Sequence, residues 1–340
     1  MKKLLITFSF CVTILFGEFD KVGTSTAQFL KIGVGARAIA MGGSYVAMAD
    51  DGYSHYWNPA GIVKIDGISS SFSHTNYLLD ISHEYLSLTV PVNNNGALGF
   101  SFSALNADEK EVTTVENPDG TGLTYKVMDI SAGISYSHQL SDRLCYGITA
   151  KYIRLSAYHE TANSFAIDIG SILDTGYNGL KIGMALTNFG GNLKYEGRDL
   201  IVKADSNNNI EGNYLSDANL QTEAWRLPLM IRIGVAFDLT GPENAFFVNQ
   251  SNRISISMDA EHPNDASEHV NLGVEYGLME TLFLRVGHRF NYSEDETTFG
   301  AGIKLPLGGD HNRISIDYAV LPIGPFGNTS YLSIEFNSLF

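Results

Sequence analysis

Two adjacent carboxylates and a histidine, Asp50, Asp51 and His55, fall close together in the stretch "DDGYSHYWNPAGI", Asp50 to Ile62. Carboxylates suit hard cations, and a histidine can ligate a metal or move a proton, so the spacing admits a metal or proton-transfer site. Three such groups on a short loop also arise by chance, and they serve equally well as polar contacts to charges on a surrounding wall. The second reading is preferred, with no metal and no cofactor. Arg232, Arg285 and Arg289 are its expected partners. Compensation of this kind is needed because acids that follow a helix C-terminus are disfavoured by its dipole.

Other chemical signals are weaker. "GVGARA", Gly33 to Ala38, has the glycine spacing of a dinucleotide fingerprint. No strand precedes it and no βαβ unit surrounds it, so close packing explains the glycines better than a phosphate does. The nine histidines are scattered, and the densest polar group, "EHPNDASEH", Glu261 to His269, lies where a surface turn is expected. A hydrolase at a barrel rim is the enzyme alternative, but no spacing suggests a nucleophile, base and orienting group. No enzymatic activity is expected.

These residues must be positioned by a chain of 340 residues, long enough for two ordinary domains or one large barrel. Residues 1–17, "MKKLLITFSFCVTILFG", have two lysines, an apolar run and a small residue at the end, the pattern of a secretory signal. The run is too short for a spanning helix, which needs roughly 20 apolar residues. Cys11 falls within it, so Cys145 is the only cysteine expected in the mature chain, and neither a disulfide nor a cysteine metal site can form there. Losing Lys2 and Lys3 takes the net charge from −15 to −17, which argues against nucleic acid as a partner.

From Ile68 onward the chain alternates apolar and polar residues in short runs, each about the length of a membrane-crossing strand, roughly 9 to 11 residues. The pattern predicts 14 strands, starting near Ile68, Glu84, Gly96, Tyr125, Arg143, Ser164, Gly179, Pro228, Asn252, Glu268, Thr281, Thr297, Asn312 and Thr329. Long connections at 106–124 and 191–227 follow odd strands, whereas tight turns such as "VNNNG" and "HQLSD" follow even ones. That is the loop pattern of an outer-membrane barrel. Lipid cannot satisfy open backbone groups, so the sheet has to close, and an even strand number allows it. The expected fold is all-β, a 14-stranded antiparallel transmembrane barrel over residues 67–340, which ends on the apolar strand "YLSIEFNSLF". Siding by alternation points Arg232, Arg285, Arg289, Glu275 and Asp317 into the lumen, together with small Ser and Gly residues that leave it unfilled.

Residues 18–66 differ in composition and are expected to form a lumenal hatch. Small residues let a backbone pack against a wall. Gly35 to Met48, with Ala36, Arg37 and Met41, is expected to form a short helix interrupted by Gly42 and Gly43. In "NPAG", Asn58 before Pro59 reads as a cap on a turn that continues through Ala60 and Gly61, a rigid corner beside the packing anchor Trp57.

The stretch "GVGARAIAMGGSYVAMADDGYSHYWNPAGI" resembles the N-terminal signature of PorV/PorQ family proteins, within the wider FadL-type group of outer-membrane transporters. The resemblance implies a 14-stranded barrel with an N-terminal hatch in the bacterial outer membrane. It also implies either passage of hydrophobic small molecules, leaving sideways beside a kinked third strand, or a type IX secretion role with secreted protein cargo. Gly99 is the candidate kink. Outer-membrane lipid is the surrounding partner in both cases, and the oligomeric state is left open.

Overall fold

Strands whose inward side chains are mostly Ser, Thr, Gly and Ala, and whose outward ones are Leu, Ile, Val and Phe, cannot pack face to face in water, and here they close on themselves. The computed structural model describes residues 21–79, 81–204, 215–242, 244–292, 296–308 and 312–338. The signal stretch, Tyr214 in the second long loop and Phe340 lie outside them.

The wall consists of β1 (Ile68–Asn76), β2 (Ser82–Asn93), β3 (Gly96–Asn106), β4 (Val127–Ser141), β5 (Leu144–Ala157), β6 (Glu160–Asp174) and β7 (Lys181–Gly190). It continues with β8 (Met230–Gly241), β9 (Asn252–Pro263), β10 (His269–Leu278), β11 (Leu282–Phe290), β12 (Glu296–Pro306), β13 (Asn312–Pro322) and β14 (Asn328–Ser338). Each strand pairs antiparallel with its sequence neighbours, and β1 also pairs with β14 from Ile68↔Ser338 to Asn76↔Ser330. The barrel is therefore closed, with no edge left between first and last strands.

Alternation sets the two faces. Ile134, Phe165, Leu284 and Phe299 point outward and stay more than half exposed, while Ser135, Asp168, Glu275 and Thr298 on the other face are buried. A soluble sheet would not leave such a belt uncovered; in lipid it is the stable side. No helix among the described residues is long and apolar enough to cross a membrane.

The two long connections lie at one end. Within them, Lys110–Glu111 pairs with Thr124–Tyr125 and Ile201–Ala204 with Ser216–Asn219. At the opposite end the turns are short. Met279 and Glu280, both at positive φ, give the β10–β11 hairpin the backbone twist its strands require. The β8–β9 connection is the longer exception at that end, and its Phe247–Val248 adds a parallel pair beside Thr240–Gly241.

Candidate functional site

Described residues before β1 run inside the barrel, and polar groups on the wall explain why they stay there. Ser25, Gln28 and Lys31 all reach Asp265 at the loop end, Lys31 at 2.9 Å. A helix follows at Ala36–Ala40 and stops there. The interruption falls at the expected glycines, since Gly42 and Gly43 adopt φ of 71° and 83°, which turn the chain out of right-handed geometry, and no helix resumes through Met48. Met41 is fully buried at that turn. The chain then crosses toward β9, where the Asp259 carboxylate accepts from the backbone N–H groups of Tyr45 and Val46 at 2.7 and 2.8 Å. Asn58 caps the next turn, Pro59–Lys64, with Oδ1 accepting from Ala60 N at 3.1 Å, and its Nδ2 donates to Val46 O and to Ser171 O on β6. Pro59, Ala60 and Gly61 are buried in this corner.

Asp50 and Asp51 find their cation on the same segment. Arg37 Nη1 lies 2.6 Å from Asp50 and 3.7 Å from Asp51, and Tyr45 donates its hydroxyl to Asp51 at 2.6 Å. The expected partners are engaged elsewhere: Arg232 with Glu261, Arg289 with Glu296, and Arg285 with Glu275 and Asp317. That expectation is corrected, and the reason is that the chain folds back between Ala40 and Asp50. Burial pushes the Asp50 carboxyl up, but the charges of Arg37 and Lys181 together with the Arg37 hydrogen bond outweigh it and hold the group below its usual range. Burial dominates at Asp51, which is pushed up to about 6. Arg37 also forks onto Glu275 at 3.0 and 3.2 Å. Fully buried Glu275 thus gathers three arginines, Arg37, Arg253 and Arg285, at 3.0, 2.9 and 2.6 Å.

His55 turns to the wall instead of toward the acids. Its ring nitrogens meet Thr89 on β2 at 2.9 Å and Ser135 on β4 at 3.0 Å, and burial lowers its pKa to about 3. Asp50, Asp51 and His55 therefore do not converge on one ligand. Between those two strands lies Gly99 on β3, where a β-carbon would overlap the His55 ring. Gly99 is a socket and not a kink, since β3 pairs with β4 from Gly96↔His138 to Asn106↔Met128 without a register shift. The expected lateral opening at Gly99 is corrected accordingly.

The segment divides the lumen. Toward the loops lies a cavity of about 610 Å³, with Trp57, Ile39 and Gly43 on the segment side and Tyr77, Leu321, Ile323 and Phe326 around it. Trp57 is fixed by its indole N–H to Val34 O at 2.8 Å and by the Arg232 guanidinium 5.1 Å from its ring. Toward the turns lies a smaller space of about 290 Å³, bounded by Arg37, Asp50, Asp51, Arg253, Arg285 and Asp317 among others.

The family described as "Type IX secretion system protein PorV" matches residues 17–262. This chain belongs to the PorV family. Comparison with curated proteins finds no match. Among solved structures, the PorV-family barrel is similar to the Pseudomonas putida toluene transporter TodX, at 13% identity and TM-score 0.57 over 89% of this chain and 96% of that one. The Ralstonia pickettii toluene transporter TbuX gives 13% and 0.56 over 91% and 98%. A third, described as the CymD monoaromatic hydrocarbon channel, gives 12% and 0.55 over 91% and 98%. These likenesses show a shared fold, the FadL-type outer-membrane barrel. The PorV-family protein is accordingly a bacterial outer-membrane protein.

Lys151, which pairs with Asp168 at 2.7 Å, and Arg253 were not singled out from the sequence, and Glu261, expected at a surface turn, is instead buried on β9 against Arg232. Alternation would have found them, since they stand two residues from Thr149, Asp259 and Ser255 on the inward face.

Proposed function

We propose that this outer-membrane barrel takes up hydrophobic small molecules from the cell exterior into its loop-end cavity, above residues 18–66 acting as a hatch. The observation that carries the reading is the cavity of about 610 Å³ with Trp57, Ile39, Leu321, Ile323 and Phe326 in its lining. Small-molecule sites span roughly 300–1,000 Å³ and are mostly apolar with a few placed polar groups. The ionic groups at this cavity are in pairs, Arg232 with Glu261 and Arg289 with Glu296, which leaves apolar contact as the main attraction. TodX and TbuX, described as toluene transporters, share the fold and add support. The chain has two tryptophans, so Trp225→Phe leaves Trp57 as the sole reporter. Saturable change of its fluorescence by toluene in lipid nanodiscs is expected. A linear, unsaturable response would count against the reading.

A second reading, docking of secreted proteins, is favoured by the family description and by the second long loop, which exposes Leu215, Leu220 and Trp225. Purification from native outer membrane, without crosslinking, discriminates between the two. Recovery of a secretion-machinery protein or secreted cargo supports docking, and a barrel carrying only apolar small molecules supports uptake.

A further inference from the structure

The lining of the loop-end cavity differs from strand to strand. β13, β14 and the connection between them give it Leu321, Ile323, Pro325, Phe326 and Tyr331. β9, β10 and β11 give it polar groups instead, Glu261, His269, Asn271 and Arg289. The charges in this lining are matched: Lys31 meets Asp265 at 2.9 Å, Arg232 meets Glu261 at 2.9 Å, and Arg289 meets Glu296 at 3.0 Å. No lysine or arginine lining the cavity among the described residues is therefore free to receive an anion.

Two hydrogen-bond acceptors on β10 are left over. Alternation puts His269 and Asn271, two residues apart, on the same inward face. Asn271 is 1% exposed, and its Oδ1 has no hydrogen-bond partner among the described residues. The reason lies in its cross-strand neighbours, Asp259 and Arg289. Asp259 is itself an acceptor, taken up by the backbone of Tyr45 and Val46, while Arg289 turns to Glu296 and to the Tyr292 ring, 3.8 Å away. On the floor, the residue facing this amide is Gly43, which has no side chain to fill the space or offer a bond. His269 is held through Nδ1, 2.8 Å from Asn291 O, and by a stack on Tyr292 with ring centroids 3.9 Å apart. A carbonyl only accepts, so Nδ1 carries the proton, and the neutral ring keeps Nε2 as an acceptor.

A buried acceptor without a donor is costly, and a ligand that supplies the donor recovers that cost. The geometry points to a neutral, hydroxyl-bearing hydrocarbon as the molecule this cavity takes, an alcohol or phenol whose O–H donates to Asn271 Oδ1, with His269 Nε2 as a second acceptor beside it. The apolar body then lies against Leu321, Ile323, Phe326 and Trp57. The inference rests on the cavity being a site for hydrophobic molecules and adds which of them it prefers. Carboxylates are disfavoured on two grounds. They bring acceptors to acceptors, and the cations around them are already paired.

The test uses the mature chain in nanodiscs with Trp225→Phe, so that Trp57 reports, and probes built on one ring: toluene, benzyl alcohol, benzyl methyl ether and benzoate. Ether and alcohol share an oxygen, but only the alcohol donates. The alcohol is expected to bind saturably and roughly fivefold tighter than the ether, the size of one hydrogen bond. Asn271→Leu should abolish that preference and leave toluene affinity unchanged, and benzoate should not saturate. An ether bound as tightly as the alcohol, benzoate bound as tightly as either, or a preference that survives in Asn271→Leu overturns the hydroxyl site, while saturable toluene binding keeps the cavity reading. No saturable response to any probe overturns both. Folding is checked by heat-modifiable gel mobility. If Asn271→Leu does not fold, the comparison of alcohol with ether in the parent decides.

Discussion

The two faces of the N-terminal segment are built from different chemistry. Its loop face presents Trp57, Ile39 and three glycines to a cavity of about 610 Å³; its turn face presents Arg37, Asp50 and Asp51 to a charged space of about 290 Å³. Apolar contact is non-directional and tolerates an exchange of partners. A forked guanidinium–carboxylate contact is directional and tolerates little. Beyond the Lys31–Asp265 anchor at its start, the segment is thus fastened by its turn face and left adaptable on its loop face, which suits the floor proposed beneath an apolar ligand.

The strongest way to break that asymmetry is Glu275→Ala. It leaves Arg37, Arg253 and Arg285 without their shared carboxylate, and stripping one partner from buried ions costs about 3–5 kcal/mol. Urea unfolding of the refolded barrel should show the loss, together with protease cleavage inside 36–66. A variant as resistant as the parent would refute the fastening role.

Titration is expected to come next. Burial holds the His55 ring neutral with a pKa of about 3, against about 6.5 in an unfolded chain. The unfolded chain takes the proton first, so the His55 contribution is lost as pH falls from 6.5 toward 3, by about 3 kcal/mol at pH 4.5. Asp51 opposes this. Its carboxyl, raised by burial to about 6, keeps a proton in the folded chain that the unfolded chain has released, so its effect stabilises the fold as pH falls from 6 toward 4. Asp51→Asn should therefore steepen the acid loss and His55→Gln should reverse the slope, both followed by protease sensitivity between pH 7 and 4.5. Parallel slopes in the two variants would rule out this opposition.

Gly99→Ala should cost about 1–3 kcal/mol, the usual range for overpacking, because the added carbon overlaps the His55 ring. The loss should appear as early release of the segment while the barrel's own mobility on gels is kept. The smallest stability effect belongs to the loop face. Phe326 is 69% exposed, so Phe326→Ala should change stability by no more than about 0.5 kcal/mol, yet weaken toluene binding read from Trp57. Unchanged toluene affinity would remove Phe326 from the site.

Period-two alternation is local, so the strands and their sides were legible: most predicted starts fall within two or three residues of the observed ones, and β6 begins four residues earlier at Glu160. The Asn58–Pro59 corner was legible for the same reason, since cap and turn are adjacent in sequence. What escaped was set by distance in space. Arg37 meets Asp50 only because Gly42 and Gly43 reverse the chain. Gly99 looks like any inward glycine until His55, more than forty residues earlier, is placed against it. The unpaired Asn271 acceptor emerges only once its cross-strand neighbours, Asp259 and Arg289, are found engaged elsewhere.

Closure of β1 onto β14 also dictates an order of assembly. The segment starts at the loop end beside Asp265 and leaves at the turn end into Ile68, so it runs the length of a ring that the final strand completes. Threading a folded, charged segment through a finished ring would require dragging Arg37 past a wall already closed around its own ion pairs, whereas enclosing it beforehand does not. The last strand is therefore the clasp, and biogenesis has to seat the N-terminal segment before fastening it. A chain ending before Asn328 should leave residues 36–66 open to protease at the assembly stage, and protection in that truncated chain would contradict this order.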